Sequence, residues 1–152
     1  MSSFSGFSGI LGPFAISGSA LTADRLWMDV ISDNIANANT TQTRNGGPYI
    51  RRMVVFEPRF DPAPKFAPMI PTETAQGLPV GVRVTEIVKD PSPPRMVYDP
   101  GNPEANAQGY VAYPNVNTVN EMVDLISATR AYEANLTVLN STKEIDLKAL
   151  NI

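Results

Sequence analysis

The chain has no cysteine and no histidine among its 152 residues. Without cysteine there is no disulfide framework, no thiolate zinc cluster and no thiol nucleophile. Without histidine the commonest general base and metal ligand is gone. No apolar run approaches the ~20 residues that span a bilayer. The first positive residue is Arg25, and Ser and Gly interrupt residues 2–12, so a secretory signal is not expected. Charge of one sign is also lacking. The net charge of -3 is spread along the chain, and Arg44, Arg51 and Arg52 form the only local basic cluster, so no field is available to hold nucleic acid by its phosphates. Helix breakers are missing from one whole region: neither Pro nor Gly occurs from residue 115 to the end, and every proline but Pro13 falls between 48 and 114.

What is present is two long amphipathic segments, one near each end. Residues 13–38 are read as a helix opened by Pro13, whose missing N–H costs nothing in a first turn. Phe14, Leu21, Met28, Ile31, Ile35 and Ala38 fall on one stripe, with Ser17 and Asp24 as its weak points. Asn37-Ala-Asn39 closes the helix, since Asn tolerates the left-handed conformation there. Residues 115–150 are read as a second helix, with Thr118 and Glu121 as a capping box. Its stripe runs Met122, Leu125, Thr129, Tyr132, Leu136, Leu139, Lys143, Asp146 and Leu150, with the three-four spacing of a helix seam.

The middle follows other rules. Tyr49–Phe56 and Val80–Val88 are β-branched and bounded by Pro and Gly, so both are read as strands, with Met96–Tyr98 and Tyr110–Tyr113 as shorter ones. Residues 57–79 hold six prolines and are read as a loop or extended linker. Asp99-Pro-Gly-Asn-Pro103 is a tight turn. The expected fold class is mainly α with a small β portion: terminal helices paired as a coiled-coil-like hairpin, and a central Pro-rich β-hairpin or extended arm. The expected division is a flexible segment 1–12, a discontinuous helical core 13–40 plus 115–152, and an arm 41–114.

Such helices need partners. Ordering some 25 residues costs on the order of 1–2 kcal/mol each, while six stripe residues return about 1.5–3 kcal/mol each when fully buried. The helices are therefore expected to pair and then pack against other subunits, with the ends of a lone chain largely unfolded. The competing reading is an αα hairpin that stabilises its own small β domain.

Residues 19–41 (SALTADRLWMDVISDNIANANTT) and 115–150 (NVNTVNEMVDLISATRAYEANLTVLNSTKEIDLKAL) closely resemble the flagellar basal-body rod proteins. The first carries the pattern S-x-N-I-A-N-x-N-T, the second E-M-V-x-x-x-x-x-x-R-A-Y-x-A-N. In the middle, Gly47-Pro-Tyr49, Gly81-Val82, Val97-Tyr-Asp-Pro-Gly-Asn-Pro103 and Pro114-Asn-Val-Asn117 look like the C-type proteins of the proximal rod. The resemblance covers nearly everything except residues 1–8 and 57–79.

The resemblance implies a non-enzymatic building block, exported through the flagellar type III apparatus without a cleaved signal peptide. Such a subunit polymerises in the periplasm with itself and other rod proteins, next to a rotor junction protein and a membrane ring. Terminal helices lining the export channel, and torque passed from rotor to hook, belong to the same implication. The alternative is an export chaperone or membrane-ring adaptor using the same helices in a closed oligomer.

The expected interface or seam residues are Phe14, Leu21, Met28, Ile31, Ile35, Met122, Leu125, Tyr132, Leu136 and Leu139, with Trp27 beside the seam as a candidate contact. Asn34, Asn37 and Asn39 are read as helix-end and inter-subunit groups in preference to ligand-binding ones. Thr118 and Glu121 cap, and Arg130 and Glu133 form an i,i+3 pair that sets register between subunits. No catalytic, cofactor-binding or metal residue is expected, and no small-molecule substrate. Asp99, Asn102 and Glu104 do not have the spacing of an EF-hand, Gly46-Gly47 lacks the context of a phosphate loop, and nothing sets paired acids in an apolar pocket.

Overall fold

A computed structural model describes residues 7–60 and 79–150. The element order is α1 (Phe7–Ala36), β1 (Arg52–Phe60), β2 (Pro79–Lys89), β3 (Arg95–Tyr98), β4 (Tyr110–Tyr113) and α2 (Thr118–Leu150). The fold is thus mainly helical with a smaller β region. In place of one hairpin there are two two-stranded sheets, β1 with β2 and β3 with β4.

α1 begins six residues before Pro13, and so takes in residues 7–12, which the sequence reading gives to a flexible segment. Phe7, Ile10, Leu11 and Phe14 stand at i, i+3, i+4 and i+7, a helical period that outweighs the glycines among them. Pro13 is an interior residue and removes the N–H that would bond the carbonyl of Gly9. The expectations for residues 1–6 and 61–78 lie outside the described residues.

The end of α1 also differs from the expected left-handed exit: among the described residues no residue other than glycine has positive φ. The last turn tightens instead. Ala38 N donates to Ile35 O at 3.2 Å, and Thr40 N to Asn37 O at 3.0 Å, the i+3 pattern that often ends a helix. Asn37 Nδ2 meanwhile donates to Asp33 O at 2.9 Å.

β1 starts later than expected because residues 49 and 51 have other partners: Tyr49 N donates to Thr40 O and Arg51 N to the Asn115 side chain. It then runs on to Phe60 through Pro58, which a strand with only one neighbour tolerates. β3 and β4 are antiparallel, with Arg95 opposite Tyr113, Met96 opposite Ala112, Val97 opposite Val111 and Tyr98 opposite Tyr110. The turn between them is closed by Asp99 N to Gly109 O and Asn106 N to Tyr110 O, both 2.9 Å.

The chain divides into two compact units. One comprises Met1–Arg25, Phe56–Thr85 and Arg130–Ile152, the other Leu26–Val55 and Glu86–Thr129. In the second, α1 and α2 run antiparallel, as the bonds Asn34–Glu121 and Met28–Thr129 require. Its buried apolar residues are Val30, Ile31, Ala38, Tyr49, Val111 and Ala128. In the first unit, Ala23 and Ser17 are buried. There Asn135 Nδ2 donates to Asp24 Oδ2 at 2.9 Å, and Val82 N to Ser19 Oγ at 3.1 Å. Ser17 and Asp24, the weak points of the sequence stripe, are therefore accommodated: one is small enough to bury and the other is paired.

Candidate functional site

The second unit is held by a polar cluster centred on Asn34. This residue lies in the last turns of α1, 1% exposed. Its amide nitrogen donates to Arg52 O and to Glu121 Oε2, both at 2.9 Å. Its amide oxygen accepts from Tyr49 O–H at 2.9 Å and from Arg52 N at 3.0 Å. An asparagine side chain offers two donors and two acceptor sites, and all four are used. One side chain therefore joins α1, the entry to β1 and the start of α2.

Glu121 completes the cluster. It sits in the first turn of α2 and is also 1% exposed. Its second carboxylate oxygen accepts from Arg51 Nε at 2.6 Å. It does not form the expected capping box with Thr118. Asn117 caps α2 instead, its side-chain oxygen accepting from Val119 N at 3.0 Å and Asn120 N at 3.4 Å. The carboxylate is thus free for a tertiary bond worth more than a second cap.

Arg51 faces three acids: Glu121 at 2.6 Å, Asp124 at 3.6 Å and Asp90 at 3.7 Å. Burial would lower the pKa of the guanidinium, but the hydrogen bond to Glu121 and the charges of Glu121, Asp90 and Asp124 outweigh it and the net direction is up. The Asp90 carboxyl is pulled below its ordinary value, first by its bonds to Ser92 and then by Arg51. Tyr49 is raised, chiefly by burial. Arg52 lies 5.6 Å over the Tyr49 ring and 3.9 Å from Asp33. Among the described residues no buried side-chain nitrogen or oxygen lacks a partner. An arginine held among acids, and an amide with every bond made, hold chain segments together; neither leaves a group poised to attack a substrate.

The packing face of α2 differs from the stripe read in the sequence. The positions that are buried or half-buried are Glu121, Asp124, Leu125 and Ala128 in the second unit, and Ala131, Tyr132, Asn135, Leu139, Thr142 and Asp146 in the first. Leu125, Tyr132, Leu139 and Asp146 coincide with the sequence stripe. The others fall one residue earlier: Glu121, Ala128, Asn135 and Thr142 where Met122, Thr129, Leu136 and Lys143 were read, and Asp124 and Ala131 beside Leu125 and Tyr132. The apolar pattern misleads because Glu121 and Asn135 meet matched partners in Asn34 and Asp24, while Ala128 is small enough for close approach. Met122 and Leu136 are exposed, whereas Phe14, Leu21, Met28 and Ile35 are half-buried and Ile31 is buried. Asn37 is half-buried and Asn39 exposed. Arg130 and Glu133 are both exposed, and the ion pairs among the described residues do not include them.

An outward apolar surface remains. Val119, Met122, Val123 and Ile126 are each more than half exposed on α2 in the second unit. Leu136, Val138, Ile145 and Leu147 are exposed on α2 in the first. Single exposed apolar residues are ordinary, but a helix that packs one face and presents more apolar residues on another has a second surface to cover. No helix among the described residues is long and apolar enough to cross a membrane.

The same segments match known proteins. Residues 14–42 match the family described as "Flagella basal body rod protein", and residues 107–152 the "Flagellar basal body rod FlgEFG protein C-terminal" family. Among curated relatives, the flagellar basal-body rod protein FlgC of Borreliella burgdorferi is 47% identical over 148 residues, covering 95% of this chain and 97% of the relative. FlgC of Bacillus subtilis is 45% identical over 143 residues, with 90% and 93% covered. FlgC of Yersinia enterocolitica is 43% identical over 143 residues, with 94% and 97% covered. These alignments cover nine tenths or more of the chain, and on that footing the chain belongs to the flagellar basal-body rod protein family.

Proposed function

We propose that this chain, a non-catalytic structural subunit of the flagellar proximal rod, polymerises through the outward faces of its two helices. The observation that carries this reading is the exposed row Val119, Met122, Val123 and Ile126 on a helix whose other face is already packed. Met122 and Leu136 then belong to the subunit contact, while Phe14, Leu21, Met28, Ile31, Ile35, Leu125, Tyr132 and Leu139 support the pairing of α1 with α2. Arg130 and Glu133, exposed and outside the ion pairs found among the described residues, set register against a neighbour. Asn39, exposed just past the end of α1, is a further contact group, while Asn37 bonds within the last turn of α1 and Asn34 with Glu121 ties the end of α1 to the start of α2.

In this reading residues 13–40 and 115–152 form a coiled-coil-like helical core around the export channel, with 41–114 as an arm. Neighbours are other copies, other rod proteins, the rotor junction protein and the membrane ring. The chain reaches the periplasm through the flagellar export apparatus without a cleaved signal peptide, and the finished rod passes torque from rotor to hook. Long helices side by side suit that work, because close-packed side chains transmit strain.

Ile126→Asp tests the reading. The residue is 55% exposed, so the substitution leaves the chain's own packing intact, yet it puts a charge into any contact made on that face, at a cost of several kcal/mol. The expected outcome is a folded chain by circular dichroism that is exported but builds no rod and supports no swimming. Normal rods would overturn the assignment, and a closed dimer by sedimentation would favour the chaperone-like alternative.

A further inference from the structure

The β3–β4 hairpin, within the second unit, has one face turned inward: Val111 is buried, and Val97 and Tyr113 are half-buried. Residues two apart share a face of a strand, so the register places Met96, Tyr98, Tyr110 and Ala112 together on the other. The solvent face of an antiparallel pair is ordinarily polar. This one carries no charged side chain, and Met96, Tyr98 and Tyr110 are 51%, 65% and 42% exposed.

The two tyrosines are nonetheless held in place. Their rings meet edge to face with centroids 5.3 Å apart. Gly109 makes room for them: its φ is +80°, and a Cβ there would stand 2.9 Å from the Tyr98 ring. Aromatic side chains fixed before a partner arrives lose little entropy on contact. The adjoining turn, residues 99–109, adds Asp99 and Glu104 and has no basic residue.

A fixed aromatic platform beside carboxylates suits proline-rich chain, which presents flat rings in an extended form with little entropy to lose. The sequence supplies such a segment: Lys65-Phe-Ala-Pro68-Met-Ile-Pro71, a P-x-x-P pair with a cation three residues ahead of it. We propose that the Met96–Tyr98–Tyr110 face receives residues 65–71 of a neighbouring copy of this chain, with Lys65 against Asp99 and Glu104. This rests on the reading that copies join in an open array, which requires two different, complementary surfaces on each subunit.

The probe is a synthetic peptide of residues 61–73 (DPAPKFAPMIPTE), titrated by NMR into the full chain with residues 61–78 replaced by a Gly-Ser stretch of equal length. Saturable binding that shifts the amides of residues 96–98 and 110–112 is expected. Met96→Lys and Tyr98→Ala in the chain, or Pro68→Ala with Pro71→Ala in the peptide, each weaken it at least tenfold. Met96→Lys is the variant that cannot act through the fold, since its side chain is outward, and circular dichroism confirms its structure. No saturable binding, or binding indifferent to these changes or to scrambling the peptide, overturns the proposal. So does an unaltered chain that shuts out the peptide at every dilution, because its own segment would then occupy the face. If the peptide fails while Ile126→Asp still abolishes rods, this contact falls and the assembly reading stands. If Ile126→Asp builds normal rods, the assembly reading itself falls.

Discussion

Asn34 illustrates how little a residue's type says about its role. Three asparagines close together at a helix end suggest capping, and Asn37 does bond locally, to Asp33 O. Asn34 has the same chemistry but faces inward, where Tyr49, Arg52 and Glu121 use all of its bonding capacity. Asn34→Ala is expected to destabilise the chain by about 3 kcal/mol, because it leaves Glu121 Oε2 and the Arg52 N–H without their partner. Asn39→Ala, at an exposed position, should cost no more than about 0.5 kcal/mol, and urea denaturation midpoints of the two variants check the contrast. Tyr49 offers a pH readout. Its folded pKa is raised above the ordinary 10.0, chiefly by burial, so the stability it contributes is fully present below that pH and is lost as pH rises through the folded value. Its hydroxyl donates to Asn34, which a phenolate could not do. Difference absorbance against the Tyr49→Phe variant should therefore show Tyr49 ionising later than the free amino acid, and the alkaline loss of stability should shrink in that variant.

Among the elements, β2 shows how close approach dictates composition. Val82 N reaches Ser19 Oγ at 3.1 Å, and at Gly81, with φ +151°, a Cβ would collide with that hydroxyl. Gly81→Ala is expected to push β2 off α1 within the first unit and cost about 2 kcal/mol, more than a strained backbone position alone. Ser19→Ala in the same chain should recover part of the loss, since it removes the oxygen the new methyl meets. Thermal denaturation of the single and double variants separates the two effects. The strand itself was legible from Val80, Val82 and Val84 alternating with Gly81, Arg83 and Thr85. Its extent was equally clear, with observed bounds within a residue or so of those read. The start of β1 was not, because partners at Thr40 and Asn115, distant in sequence, claim the backbone N–H groups of Tyr49 and Arg51.

The two units are unequally provided. Of the buried apolar residues among those described, all but Ala23 belong to the unit of Leu26–Val55 and Glu86–Thr129, which also holds the Asn34 cluster. Order in a dilute chain should be graded accordingly. Amide hydrogen exchange is expected to be slow around residues 28–36, 49–52 and 111–128, and fast at the start of α1 and over residues 140–150. Protection at those ends should rise once subunits associate, since burial against neighbours supplies what the unit's own core does not. Uniform protection along both helices in dilute solution would contradict that.

The alternation of apolar spacing and the placing of prolines were enough to settle that there are two long terminal helices with strands between them, because hydrophobic period and breaker position act locally and need no partner. The signature stretches at either end likewise point to the family by themselves. Which face of α2 turns inward was beyond that reading. Glu121 and Asn135 look like surface residues until Asn34, Arg51 and Asp24 are brought beside them, and Met122 and Leu136 look like core until those positions are filled. The cost of burying a polar group depends on its partner, and only folding in three dimensions supplies one from 87 or 111 residues away.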